Sequence, residues 1–86
     1  MKRLDLDELT REVIKISYEY DTYEFKDIFK NYNEAYEYTL ETLKEDASVI
    51  WVYLNELSKN MDAYEYNELD YEAILKVQNQ VYDLCI

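Results

Sequence analysis

From Tyr36 to Met61 the apolar residues keep one rhythm. Tyr36, Leu40, Leu43, Ala47, Ile50, Leu54, Leu57 and Met61 follow one another at alternating spacings of four and three. A repeat of about 3.5 residues marks one side of an α-helix, because a turn takes about 3.6. The spacing predicts one long helix within residues 33–61, about 40 Å from end to end. Asp46-Ala47-Ser48 is where it can be interrupted, since Asp and Ser side chains compete for backbone hydrogen bonds. The run from Val49 to Val52 is apolar on all sides and rich in β-branched residues. It is expected to be a central segment, Trp51 included, covered by neighbours on both sides. The contrary reading makes Trp51 and Tyr53, which stand off the main seam, an exposed aromatic contact.

Similar patterns flank this stretch. Leu6, Leu9, Val13, Ile16 and Tyr20 predict a first helix, with Asp5 or Asp7 as its cap and Glu8 and Glu12 suited to its N-terminal dipole. Phe25, Ile28, Phe29 and Tyr32 predict a short second helix over 21–32, with Asn31 or Asn33 at the break after it. A turn is expected at 60–62 and a helical turn or extended lead-in at 63–66. Asp70 is then expected to cap a last helix, whose buried face is Ile74, Val77, Val81 and Leu84, widened by Leu75 and Tyr82. The expected fold is all-α, a bundle of four or five helices in a single domain, residues 1–86. An α+β fold with strands at 18–25 or 49–53 is the competing expectation.

Composition narrows the turns and the compartment. The chain has no Gly and no Pro, so Asn and Asp must make the tight turns, and Gly-rich phosphate loops are excluded. Cys85 is its only cysteine, which rules out an internal disulfide and fits a reducing cytoplasm. Met1-Lys2-Arg3 leads into Asp5, Asp7 and Glu8 without an apolar stretch, so neither signal peptide nor membrane span is expected. The weight of Tyr, Asn, Lys, Ile, Glu and Asp hints at an AT-rich genome, such as that of a low-GC bacterium, a phage or a mobile element.

Several chemistries lack their residues. With no histidine there is no Ser-His-Asp triad, Cys-His pair or His-containing zinc site, and a lone cysteine builds no zinc site. The Glu-x-x-His pattern of di-iron bundles and the Gly-bearing calcium loop are also missing. The carboxylates fall on faces predicted to be solvated, where nothing raises a pKa for acid–base work. The expectation is a non-enzyme with no metal or cofactor.

Twenty acidic residues against nine basic ones set the net charge at −11. That disfavours direct contact with nucleic acid or an anionic membrane and favours a protein with a basic surface. Much of the acid is ordered along helices. Glu34, Glu37, Glu41 and Glu45 recur at three or four residues, roughly 140° around the helix from the Leu40/Leu43 seam. Their spacing along the axis, about 4.5 to 6 Å, is comparable to that of phosphates on one DNA strand. Asp5, Glu8, Glu12 and Glu19 form a second row on the first helix. Eleven tyrosines accompany the acid. Tyr20, Tyr32, Tyr36, Tyr71 and Tyr82 fall near apolar faces, whereas Tyr18, Tyr38 and Tyr66 fall off them, where tyrosine suits an interface.

In charge and size the chain resembles the DNA-mimic inhibitors that phages and plasmids use against restriction, CRISPR or repair enzymes. That resemblance implies an inhibitor acting through Glu34, Glu37, Glu41 and Glu45, with Tyr38 beside them. The alternative is a structural or regulatory helical subunit that oligomerises or docks through its apolar seam. There Trp51, Tyr53 and residues 82–86 would matter and the charge would serve solubility.

Overall fold

The computed structural model describes residues 5–20, 29, 31–60 and 68–85. These hold four α-helices and no strand: α1 Leu6–Tyr20, α2 Tyr32–Glu45, α3 Ala47–Asn60 and α4 Glu68–Leu84. α1 packs on α2, α2 on α3, α3 on α4, and α4 back on α1, so the helices form a ring around a shared core. The α3–α4 pairing is the most extensive and the closing α4–α1 pairing the slightest. A small all-α bundle is what the periodicity predicts. Residues 18–20 and 49–53, the described parts of the competing strand assignment, belong to α1 and α3.

The long helix is two helices. At Asp46 the backbone leaves the helical region (φ −154°, ψ 83°), and its N–H closes α2 on the Thr42 carbonyl at 2.8 Å. The Asp46 carboxylate then turns forward, accepting the Ser48 N–H at 3.2 Å and the Ser48 hydroxyl. One residue therefore ends α2 and caps α3, which satisfies N–H groups that a helix start leaves unpaired.

The break lets each half choose its own phase. On α2 the buried residues are Ala35, Thr39 and Leu43, while the expected seam residues Tyr36 and Leu40 are only half-buried. The inward face is thus rotated by about 60° from the predicted seam. Ala35 packs in a cluster with Ile14 of α1 and Phe29, and Thr10 and Ser17 of α1 are fully buried close by on the helix wheel. Their hydroxyls donate to their own helix, Thr10 Oγ1 to the Leu6 carbonyl at 2.6 Å and Ser17 Oγ to Val13 at 2.8 Å. Small side chains with internally satisfied hydroxyls allow close helix approach without an unpaired polar group. Apolar periodicity does not register them.

On α3 the predicted seam holds: Ala47, Ile50, Leu54 and Leu57 are buried. The expectation that 49–52 is covered on both sides does not hold, because Val49 and Val52 are 48% and 52% exposed. Among the described residues α3 meets its neighbours on the side of the seam, and Trp51 and Tyr53 flank that side, half-buried against the core. α1 buries Leu9, Val13, Ile16 and Tyr20 as predicted, with Leu6 half-buried. Asp5 caps it, its Oδ1 accepting the N–H groups of Asp7 and Glu8 at 3.0 and 3.3 Å.

α4 begins at Glu68, so Asp70 lies inside its first turn rather than capping it. Ile74, Val77 and Val81 are buried, Leu75 and Leu84 half-buried, and Tyr82 exposed. Gln78, also buried, donates its amide to Asn55 Oδ1 of α3 at 3.4 Å. The short helix expected over 21–32 falls outside the described residues except at Phe29, Asn31 and Tyr32. Asn31 caps α2 by accepting the Glu34 N–H at 2.9 Å, and Tyr32 opens that helix. Met61, the rest of the 60–62 turn, residues 63–66 and Ile86 also lie outside, apart from Asn60 at the end of α3. No described helix is long and apolar enough to cross a membrane.

Candidate functional site

The acidic row on α2 is positioned by the cap at Asn31 and by the phase of the buried face. With Ala35, Thr39 and Leu43 turned inward, Glu34, Glu37, Glu41 and Glu45 point roughly 155° away, and all four are exposed. No ion pair joins any of them to a described cation; the ion pair among the described residues is Arg11–Asp7. Three carboxylate rises along the axis give a line about 17 Å long. The error in the predicted seam does not displace this line, because the opposite side of a helix remains solvated when the seam rotates moderately.

Tyr38 stands beside the row at 52% exposure. Its ring lies 5.2 Å from that of Phe29, tilted by 47°, and Phe29 is itself buried. Edge-tilted contact of this kind holds the ring in place and leaves its other face to solvent. An exposed aromatic that is already braced gives up little side-chain entropy on binding. The sequence pattern places Tyr38 off the apolar face; the Phe29 brace is a tertiary contact that the pattern does not contain.

The second row behaves differently. Asp5, Glu8, Glu12 and Glu19 are exposed, but they wall a groove between α1 and α4 that also contains Lys15 and Lys76. Asp5 is further engaged as the α1 cap. The α1 row thus borders α4, whereas the α2 row points away from the core, and the two belong to different surfaces. Of the other tyrosines assigned to apolar faces, Tyr20 is buried, Tyr36 half-buried, and Tyr32 and Tyr71 are 47% and 43% exposed. Tyr18, expected off the face, is half-buried against the Ile14 cluster, and Tyr66 lies outside the described residues.

Two tyrosines tie helices together through carboxylates. Tyr36 of α2 donates its hydroxyl to Asp7 Oδ1, while Arg11 donates to the other oxygen of the same carboxylate. The Tyr36 hydrogen bond and then Arg11 hold the Asp7 carboxyl below its ordinary value, and the tyrosine is shifted up in return. Tyr20 donates to Asp70 Oδ1 at 2.6 Å, joining the end of α1 to the start of α4; burial and this bond push its phenol upward. These contacts hold the scaffold and leave the α2 row untouched. Among the described residues no group of His, Cys, Asp or Glu is arranged to hold a metal ion.

Comparison with protein families, characterised proteins and solved structures returns no match.

Proposed function

We propose that this protein is a non-catalytic, cytoplasmic interaction module that engages a basic protein surface through Glu34, Glu37, Glu41 and Glu45, with Tyr38 as a braced aromatic anchor. The mechanism is imitation of a nucleic-acid backbone: a phage or mobile element uses the acidic line to occupy the cationic groove of a nucleic-acid-binding protein. One observation carries this reading, the row of four exposed carboxylates that have no cationic partner among the described residues and run along one face of a capped helix. A rigid helix presents charge at fixed intervals, so a partner's Lys and Arg meet it with little reorganisation. The alternative of docking through the apolar seam has less to draw on. Leu43, Ala47, Ile50, Leu54 and Leu57 are buried in the chain's own core, which leaves Val49 and Val52 on the outer side of α3.

The test is capture from a nuclease-treated lysate at about 50 mM and about 500 mM salt, a change that shortens the Debye length about threefold. The expected partner is a DNA- or RNA-binding protein held only at low salt and displaced, once purified, by added nucleic acid. Glu37→Lys with Glu41→Lys should abolish capture while the far-UV CD spectrum is retained. Binding that survives this charge reversal would exclude the mechanism.

A further inference from the structure

We infer that the groove between α1 and α4 is a second docking site, one that takes a cationic amphipathic helix of a partner protein. The ring of helices closes most loosely here, leaving a cavity of about 820 Å³. Its two walls differ in charge. The α1 wall carries Asp5, Glu8, Glu12 and Glu19 with Lys15 between the last two, three negative charges net; the α4 wall carries Lys76, Gln80 and the small residue Ala73. Leu9, Ile16 and Val77 form the floor between them. From Asp5 to Glu19 the acidic wall runs about 21 Å, the length of a helix of four turns.

This asymmetry defines the occupant. Four carboxylates against two ammonium groups, Lys15 and Lys76, leave an excess of two negative charges around the groove. An occupant with cationic groups on every side would meet Lys76 on the α4 wall as well as the carboxylates on the α1 wall. A helix can place Lys and Arg on the flank facing α1 and polar or acidic residues on the flank facing Lys76 and Gln80. The floor residues are already nearly covered, at 3–4% exposure. The fit therefore depends on small apolar residues and on alkyl stems of Lys and Arg lying over the floor with their charged heads at the wall. Recognition of this kind is driven by charge and falls steeply with salt. It is independent of the α2 row.

The probe is a labelled helical peptide of about 15 residues with Arg and Lys on one flank, Ala and Leu along the adjacent face and Glu on the other flank. A scrambled peptide of identical composition serves as control. At about 50 mM salt the patterned peptide should bind at least about tenfold more tightly than the scrambled one. Amide shifts should map to α1 and to residues 73–80. Glu8→Gln with Glu12→Gln, and separately Ala73→Trp to fill the groove, should each weaken binding about tenfold with the CD spectrum unchanged. Glu37→Lys with Glu41→Lys should leave it unaltered, which separates this site from the α2 surface. Equal binding of the two peptides, shifts centred on α2, or no binding of the patterned peptide would overturn the assignment.

Discussion

Thr39 is the anomaly among the buried hydroxyls. Its side chain is 1% exposed, and Oγ1 has no hydrogen-bond partner among the described residues, whereas Thr10 and Ser17 donate to carbonyls one turn back. An unsatisfied buried hydroxyl costs about 1–3 kcal/mol, and valine has nearly the same shape. Thr39→Val should stabilise the fold by about 1 kcal/mol, seen as a higher urea midpoint at unchanged slope. Asp7 carries a pH dependence of definite sign. Its folded pKa is lowered from an ordinary 3.8, so the unfolded chain takes up the proton first as pH falls. The Asp7 contribution is therefore complete above that ordinary value and lost as pH drops through the lowered one. Asp7→Asn should be less stable than the parent at neutral pH, and in urea titrations the gap should close as pH falls below the ordinary carboxyl value of 3.8. Tyr20 and Tyr36, shifted upward, act at the other end. Their contribution is present below the ordinary tyrosine value of 10.0 and is lost as pH rises beyond it.

Asp46 marks the point at which the central stretch divides into two helices. An aspartate that accepts the Ser48 N–H replaces the helical hydrogen bond that a continuous helix would use there. Packing reinforces the choice: α2 lies on α1 and α3 on α4, and a straight rod could not serve both pairings. Asp46→Ala should therefore not fuse the two helices. It should remove the α3 cap at a cost of about 1 kcal/mol, with helix content by CD unchanged within error. A gain in stability accompanied by more helix would show that the break is local in origin. The same element pair separates what periodicity can reach from what it cannot. Along α3 the seam follows large aliphatic residues and is found by pattern. Along α2 two of the three buried positions are an alanine and a threonine, which suit the approach of α1, and large residues elsewhere on the helix outvote them.

For the molecule as a whole, charge opposes compactness. A net charge of −11 is set against one ion pair among the described residues, Arg11–Asp7, which lies on the surface. Self-repulsion of this kind is screened by salt. Raising salt from about 10 mM to about 500 mM should stabilise the fold by about 1 kcal/mol, roughly 4–8 °C in Tm for a domain this small. Partner binding through either acidic surface should move the opposite way over the same range. A protein whose fold strengthens while its complexes dissolve in salt carries its charge for recognition. If both were insensitive, the acid would be solubilising only.

Helix content, the exposed line of Glu34, Glu37, Glu41 and Glu45, and most of the aliphatic core followed from sequence alone, because each depends on neighbours within one or two turns. Helical periodicity is local, and a charged face opposite several large apolar residues has nowhere to go but solvent. The sequence marks Asp46 as a place where the helix can break, and the tertiary structure decided that it does. The tertiary structure was also needed for the rotation of α2 onto Ala35 and Thr39, the Phe29 brace beneath Tyr38, and the conversion of the α1 acids into the wall of a groove. Each of these depends on which helix lies alongside and how closely it approaches. That information resides in contacts between residues far apart in the chain, and no periodicity records it.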